Sequence, residues 1–241
     1  MPTVTYSNAA LALLNVGLSC IGLDLSSGDN SFDLHRIDDP NDCGTSFSDQ
    51  QRASIHAIFD PITISIKPFR LPGSGEIRLD HLAKERATVS WSAERDGSII
   101  LDLQFESAGR ELLGTFGGDI DNGRLLISLA VEVGPSGELV VTPSTSFSAD
   151  IDILGIPNFL ERRLTAQLPQ RVAQETEAQL QASAQEIAQG IFQNLSEAGP
   201  DGNLLPTPSP DALYTGVKIT DEHATLSWRT GLTPHKQDTS E

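Results

Sequence analysis

Five histidines, two cysteines and 33 carboxylates are the side chains from which this chain would have to build catalysis or a metal site. His35, His56, His81, His223 and His235 stand apart, none at a ligand spacing from another histidine or a cysteine. Cys20 and Cys43 form no CxxC pattern; they pair in an oxidising compartment or stay as two thiols. Asp29, Asp33, Asp38, Asp39, Asp42 and Asp49 lie among Ser, Gly and Asn, which invites a calcium loop. Their spacing lacks the glutamate that closes an EF-hand at its twelfth position, so a solvated loop explains them. Asp119 and Asp121 flank Ile120 just before Asn122-Gly123, which reads as a hairpin tip, and turn chemistry accounts for them. Arg162, Arg163 and Arg171 gather near a helix start, the end where the dipole does not assist basic side chains, and lie mostly off the apolar stripe, so they read as a solvated face. Asn194-Leu195-Ser196 satisfies the glycosylation pattern but falls at the end of a helical stretch and is discounted. No GxSxG elbow, phosphate-binding loop, HExxH or dinucleotide-binding GxGxxG is found. The chain reads as no enzyme, with no catalytic residue, no metal and no cofactor expected.

Charge narrows the partners further. Acidic residues outnumber basic ones 33 to 16, a formal net charge of −17. Nucleic acid and anionic membrane surfaces select for Lys/Arg patches, so neither is expected as a partner. Net charge says nothing about a buried apolar site. The most apolar run, Ala9 to Ile21, is too short to span a bilayer, and no transmembrane segment is expected. No Lys or Arg precedes it as a signal peptide would require, which favours the cytoplasm over a secreted or periplasmic location.

The elements that would position any site are mostly strands. Residues 1–25 are apolar and small, with a loose alternation from Asn15 to Leu25 that suggests a strand; residues 26–50 turn polar. From Pro61 the period becomes two: Ile62, Ile64 and Ile66 alternate with polar neighbours. Ala87, Val89 and Trp91 continue the pattern, and Asp96-Gly97 predicts a hairpin into Ile99, Leu101, Leu103 and Phe105. Asn122-Gly123 predicts a second hairpin, before Leu125, Ile127, Leu129, Val131 and Val133. Pro135-Ser136-Gly137 turns the chain into a last strand from Leu139 to Ile153. The pentapeptides ATVSW (87–91) and ATLSW (224–228) show the same alternating face, too short a match to make a repeat.

Residues 156–198 predict one long helix. Asn158 and Glu161 fit a capping box. Its apolar or small stripe runs Leu160, Leu164, Leu168, Val172, Thr176, Leu180, Ala184, Ile187, Ile191, Leu195. Steps of four on a 3.6-residue turn rotate the stripe by roughly 40° each, so it spirals. Pro169 inside it predicts a kink costing ~3 kcal/mol. Beyond the helix, residues 199–212 read as a Pro-rich connection, 213–230 as a closing strand and 231–241 as a polar tail. All of it fits one α+β domain: antiparallel strands over 61–155, then the helix that covers their apolar face.

The segments FRLPGSGEIRL (69–79), ATVSW through LAVEV, and SFSADIDIL running into NFLERRLTAQLPQRV carry a resemblance. In order and pattern they are similar to the tubular lipid-binding (TULIP) superfamily of BPI-like proteins, over roughly Pro61 to Trp228. Residues 1–60 do not align with it. The resemblance implies a long, highly curved antiparallel sheet wrapped around one long bent helix, with lipid held between them. The implied function is non-enzymatic binding or transport of a lipid or fatty-acid-like hydrophobic ligand. Ile62, Ile64, Ile66, Val89, Trp91, Leu101, Leu103, Phe105, Ile127, Leu129 and Val131 would line the sheet side. Leu164, Leu168, Val172, Leu180, Ile187 and Ile191 would line the helix side. Toxin-associated members of the superfamily imply an alternative, an assembly component with a filled groove and a protein partner, for which the acidic surface would suit a basic protein.

Overall fold

The computed structural model describes residues 1–25, 32–36, 49–63, 69–70, 76–77, 82–94, 97–107, 118–153, 166, 168–197, 205–206, 208 and 212–230. Alternating sequences here become one open antiparallel sheet in the order β3-β2-β6-β7-β8-β9. Its members are β2 (Ile21–Leu25), β3 (Phe32–Arg36), β6 (Leu82–Ser92), β7 (Ser98–Ser107), β8 (Gly118–Val133) and β9 (Leu139–Ile153). A second antiparallel sheet, β1-β11-β10, joins the two ends of the chain: β1 (Thr3–Ser7) pairs with β11 (His223–Thr230), beside β10 (Ala212–Ile219). The short strands β4 (Phe69–Arg70) and β5 (Glu76–Ile77) pair with each other. Among the described residues three helices, α1 (Asn8–Ser19), α2 (Asp49–Phe59) and α3 (Leu168–Glu197), complete an α+β architecture. No helix of the described residues is long and apolar enough to cross a membrane.

The strand cores and two turns stand where alternation and turn residues put them. Ser92 pairs with Ser98 around Gly97, and Val133 with Leu139 around Gly137; both glycines take positive φ, the conformation such turns demand. The turn expected at Asn122-Gly123 is overturned. β8 runs straight through it, and the β8–β9 register slips between Asp121 and Arg124, the mark of a bulge. Asn122 takes φ 53°, and its amide donates to Asp150 at 3.0 Å. Asn-Gly supplies positive φ equally well to a bulge and to a hairpin. Asp119 and Asp121 therefore lie within a strand, opposite Asp152 and Asp150, rather than at a tip.

Several other expectations change. The strand expected over 15–25 is divided: Asn15 to Ser19 close α1, and Ile21–Leu25 alone form β2; a largely apolar run suits either element. The stretch expected as polar loop contains β3, which pairs along β2. Ile62 lies outside any strand, where its N–H donates to Phe59 O just beyond α2; Ile64 and Ile66 lie outside the described residues. The closing strand is a hairpin, β10–β11. Ala166 stands in a turn and α3 begins at Leu168, so Pro169 occupies a first turn, where its missing N–H costs no helix bond. Leu164 lies outside the described residues.

Helix α3 shows how the spiral works. In its first half a single line of side chains, Val172, Thr176, Leu180 and Ala184, is buried. Further on, burial spreads round the helix to Ile187, Ala188, Ile191, Phe192, Asn194, Leu195 and Ser196. On one side the cause is α2, which packs here, and on the other Phe192 and Ser196 meet Trp91 and Tyr6. A Cβ on Gly190 would meet Ala57 O at 3.3 Å, and Asn194 donates to Ser54 O and Gly190 O, each at 2.8 Å. Burying a leucine fully, as at Leu180, contributes about 1.5–3 kcal/mol.

Both long edges near the core are capped by side chains. On β9, Thr145 N–H donates to Glu177 Oε2 at 3.1 Å and its hydroxyl to Ala173 O at 2.6 Å, while Pro143 has no N–H to offer. On β6, α1 replaces a strand: Asn15 accepts from Val89 N–H at 2.7 Å and donates to Val89 O at 2.9 Å. Asp221 accepts from Ala93 N–H at 2.7 Å. The start of α1 is tied to the β10–β11 turn through Asn8, which bonds Glu222 O and Asp221 O.

Candidate functional site

Period-two alternation puts the inner residues of β6 to β9 into cross-strand rows. Val89, Leu101, Ile127 and Thr145 make one row, and Trp91, Ile99, Leu129 and Pro143 the next; Ala87, Leu103, Leu125 and Phe147 make a third. Their apolar members form one continuous core with Val172, Leu180, Ile187 and Ile191 of α3 and with Ile62. The structure thus brings together Ile62, Val89, Trp91, Leu101, Leu103, Phe105, Ile127, Leu129, Val131 and these four helix residues, all 5% exposed or less. Leu168 opens α3, and no contact of its side chain is described. Whether these side chains touch a ligand or only one another is a separate question, because burial alone is the signature of any core.

The electrostatics of this interior are simple. Among the described residues no charged side chain is buried; the buried polar ones are Ser98, Thr176, Asn194 and Ser196. The charged groups that do pair lie outside, as in the two-pronged contact of Arg124 with Asp102 at 2.8 and 2.9 Å on the outer face of the sheet. Donating to the Asp102 carboxylate raises the Arg124 pKa. Among the described residues no group of three or more His, Cys, Asp or Glu could hold a metal. His56 contacts Asp60 at 2.9 Å and His223 contacts Thr220 at 3.2 Å, in local pairings. Asn194 and Ser196, the discounted glycosylation pattern, are both buried and hydrogen-bonded.

One end of the core is aromatic. Phe192 of α3 lies 6.2 Å from Trp91, nearly parallel to it, and 5.4 Å from Tyr6 of β1 at a tilt of 34°. Tyr6 meets Ser196 Oγ at 2.9 Å, and Ser196 donates to Phe192 O at 2.9 Å. With the Ser196 proton so used, the Tyr6 hydroxyl donates to Ser196. Burial raises the Tyr6 pKa above the usual 10.0, with the Ser196 bond opposing. Two buried side-chain atoms have no partner among the described residues: Trp91 Nε1 and Thr176 Oγ1. Sequence reasoning chose Trp91 but missed Tyr6, Phe192 and Ser196. The alternation Val4-Tyr6 was a usable signal for the first, and Phe192 lies one residue off the chosen stripe.

Cys20, at the end of α1, is disulfide-bonded, and the sequence holds one other cysteine, Cys43, outside the described residues.

No protein-family model matches the chain, and no curated protein does. Among solved structures it is similar to a crystal structure titled lipopolysaccharide binding protein, at 12% identity and a TM-score of 0.36. The match covers 92% of this chain and 52% of that one, so the chain spans about half the length of that protein.

Proposed function

We infer that the protein binds or carries a lipid or similar hydrophobic ligand between the inner face of β6–β9 and α3, without catalysing a reaction. The observation that supports this most directly is the wholly uncharged interior: among the described residues, sheet and helix contribute no buried charge to it. Such a lining suits an acyl chain and offers nothing to a charged substrate. The disulfide at Cys20 goes with an oxidising compartment, against the cytoplasmic location that the sequence suggested.

A second reading, an interaction or assembly component whose groove its own side chains fill, draws on α1. That helix carries no charge, and Leu13 and Val16 stand 55% and 59% exposed on it. Native mass spectrometry of the purified protein with solvent extraction, followed by titration with fluorescent hydrophobic probes, separates the two. Co-purified lipid or probe uptake is expected; a protein that carries none and takes up none leaves the assembly reading.

A further inference from the structure

Trp91 is an unusual core residue. It is 5% exposed, stacked on Phe192, and its indole N–H has no acceptor among the described residues. A buried donor without a partner costs about 1–3 kcal/mol, so such groups are normally matched by something. The neighbouring hydroxyls do not match it: Tyr6 donates to Ser196 and Ser196 to Phe192 O, a chain complete without Trp91.

We propose that the Trp91 N–H is the polar anchor of the site and donates to the carbonyl oxygen of an uncharged acyl ester. This deepens the lipid-binding function inferred above and rests on it. The chemistry of the groups around the indole selects the class. Indole is a donor only, so the ligand must supply an acceptor. A free carboxylate would accept, but no buried cation among the described residues offsets its desolvation. An alcohol or a protonated acid would accept and also bring a donor of its own, creating a new unmatched group in place of the old one. An ester carbonyl accepts and adds no donor. The flat face of Phe192 against Trp91 holds the indole plane, and so fixes the direction of the bond.

The test compares three probes of similar length on the full chain: cis-parinaric acid, its methyl ester and the hydrocarbon diphenylhexatriene. The wild type is expected to bind the ester more tightly than the free acid at neutral pH. Trp91→Phe keeps a stacking ring and removes the donor, so it should weaken the ester about five- to tenfold more than it weakens the hydrocarbon. An ester affinity unaltered in Trp91→Phe, or a free acid bound more tightly than the ester, overturns the proposal while lipid binding stands. If the wild type takes up none of the three, lipid binding itself fails. A second measurement needs no change at Trp91. In Trp228→Phe, Trp91 is the sole tryptophan, and the ultraviolet resonance Raman band that reports indole N–H hydrogen bonding should shift on adding ester and not on adding hydrocarbon. Equal responses to both probes count against the anchor.

Discussion

Gly97 turns the β6–β7 hairpin at φ 109°, and its Cα lies against Ile219 of the smaller sheet. A Cβ at this position would stand 2.8 Å from Ile219 Cβ and 3.0 Å from Ile219 O. Neither neighbour is the far end of a flexible chain, so backbone must shift. Gly97→Ala therefore carries two costs: a backbone conformation closed to residues with a Cβ, about 1–3 kcal/mol, and crowding at a packed contact, about 1–3 kcal/mol. For a chain of this size each kcal/mol lowers the melting temperature by roughly 2–4 °C, so a fall on the order of 10 °C is expected. Gly216→Ala is the control. Its nearest neighbour to a new Cβ is Ser227 Cβ at 4.0 Å, and its change should stay within about 0.5 kcal/mol. Calorimetry with near-ultraviolet dichroism reads both. Equal melting temperatures for the two variants would refute the claim that the sheets are locked together at this turn.

Two more outcomes follow from the core. Leu180→Ala should lower the urea midpoint by the equivalent of about 2–5 kcal/mol, whereas Gln181→Ala, one residue round the helix and exposed, should change it by less than about 0.5 kcal/mol; similar losses at both positions would remove the spiral stripe. Tyr6, with its pKa raised by burial, keeps its proton where the unfolded chain has already lost one. The unfolded state then binds fewer protons, so this contribution is complete below about pH 10 and is lost as pH rises from there through the folded pKa. Urea midpoints at about pH 9 and about pH 11 should diverge less in Tyr6→Phe than in the wild type, and an unchanged difference would count against it.

Strands β6, β7 and the later part of β8 were legible because each alternates over five or more residues and joins its neighbour by a short turn. Val89, Leu101 and Ile127 could be placed on one face before any register was known. Three features were not legible, each because something distant in the chain decides it. Asn122-Gly123 has the same dihedral preference in a hairpin and in a bulge; what makes it a bulge is β9, which continues past it. Thr3–Ser7 alternates too, but no short turn joins it to a neighbour, and its partner β11 lies more than 200 residues away in sequence. Ala9 to Ile21 is too uniformly apolar for periodicity to separate helix from strand, and the contact of Asn15 with Val89 shows which won. The lining of the candidate site was legible as a set of inward positions, since inwardness follows from alternation. The aromatic end was not, because Tyr6, Trp91 and Phe192 come from three elements far apart in sequence.

The upper part of β6 has no strand beside it on the α1 side among the described residues; the amide of Asn15 and the carboxylate of Asp221 stand in for one. A strand detaches only as a row, whereas side chains release one at a time, so this seam can open in smaller steps than the strand-to-strand pairings of the large sheet. Trp91 lies on that strand, between the two clasps. On the ligand-binding reading proposed above, lifting α1 along this seam would uncover the indole while β6 to β9 stay paired to one another.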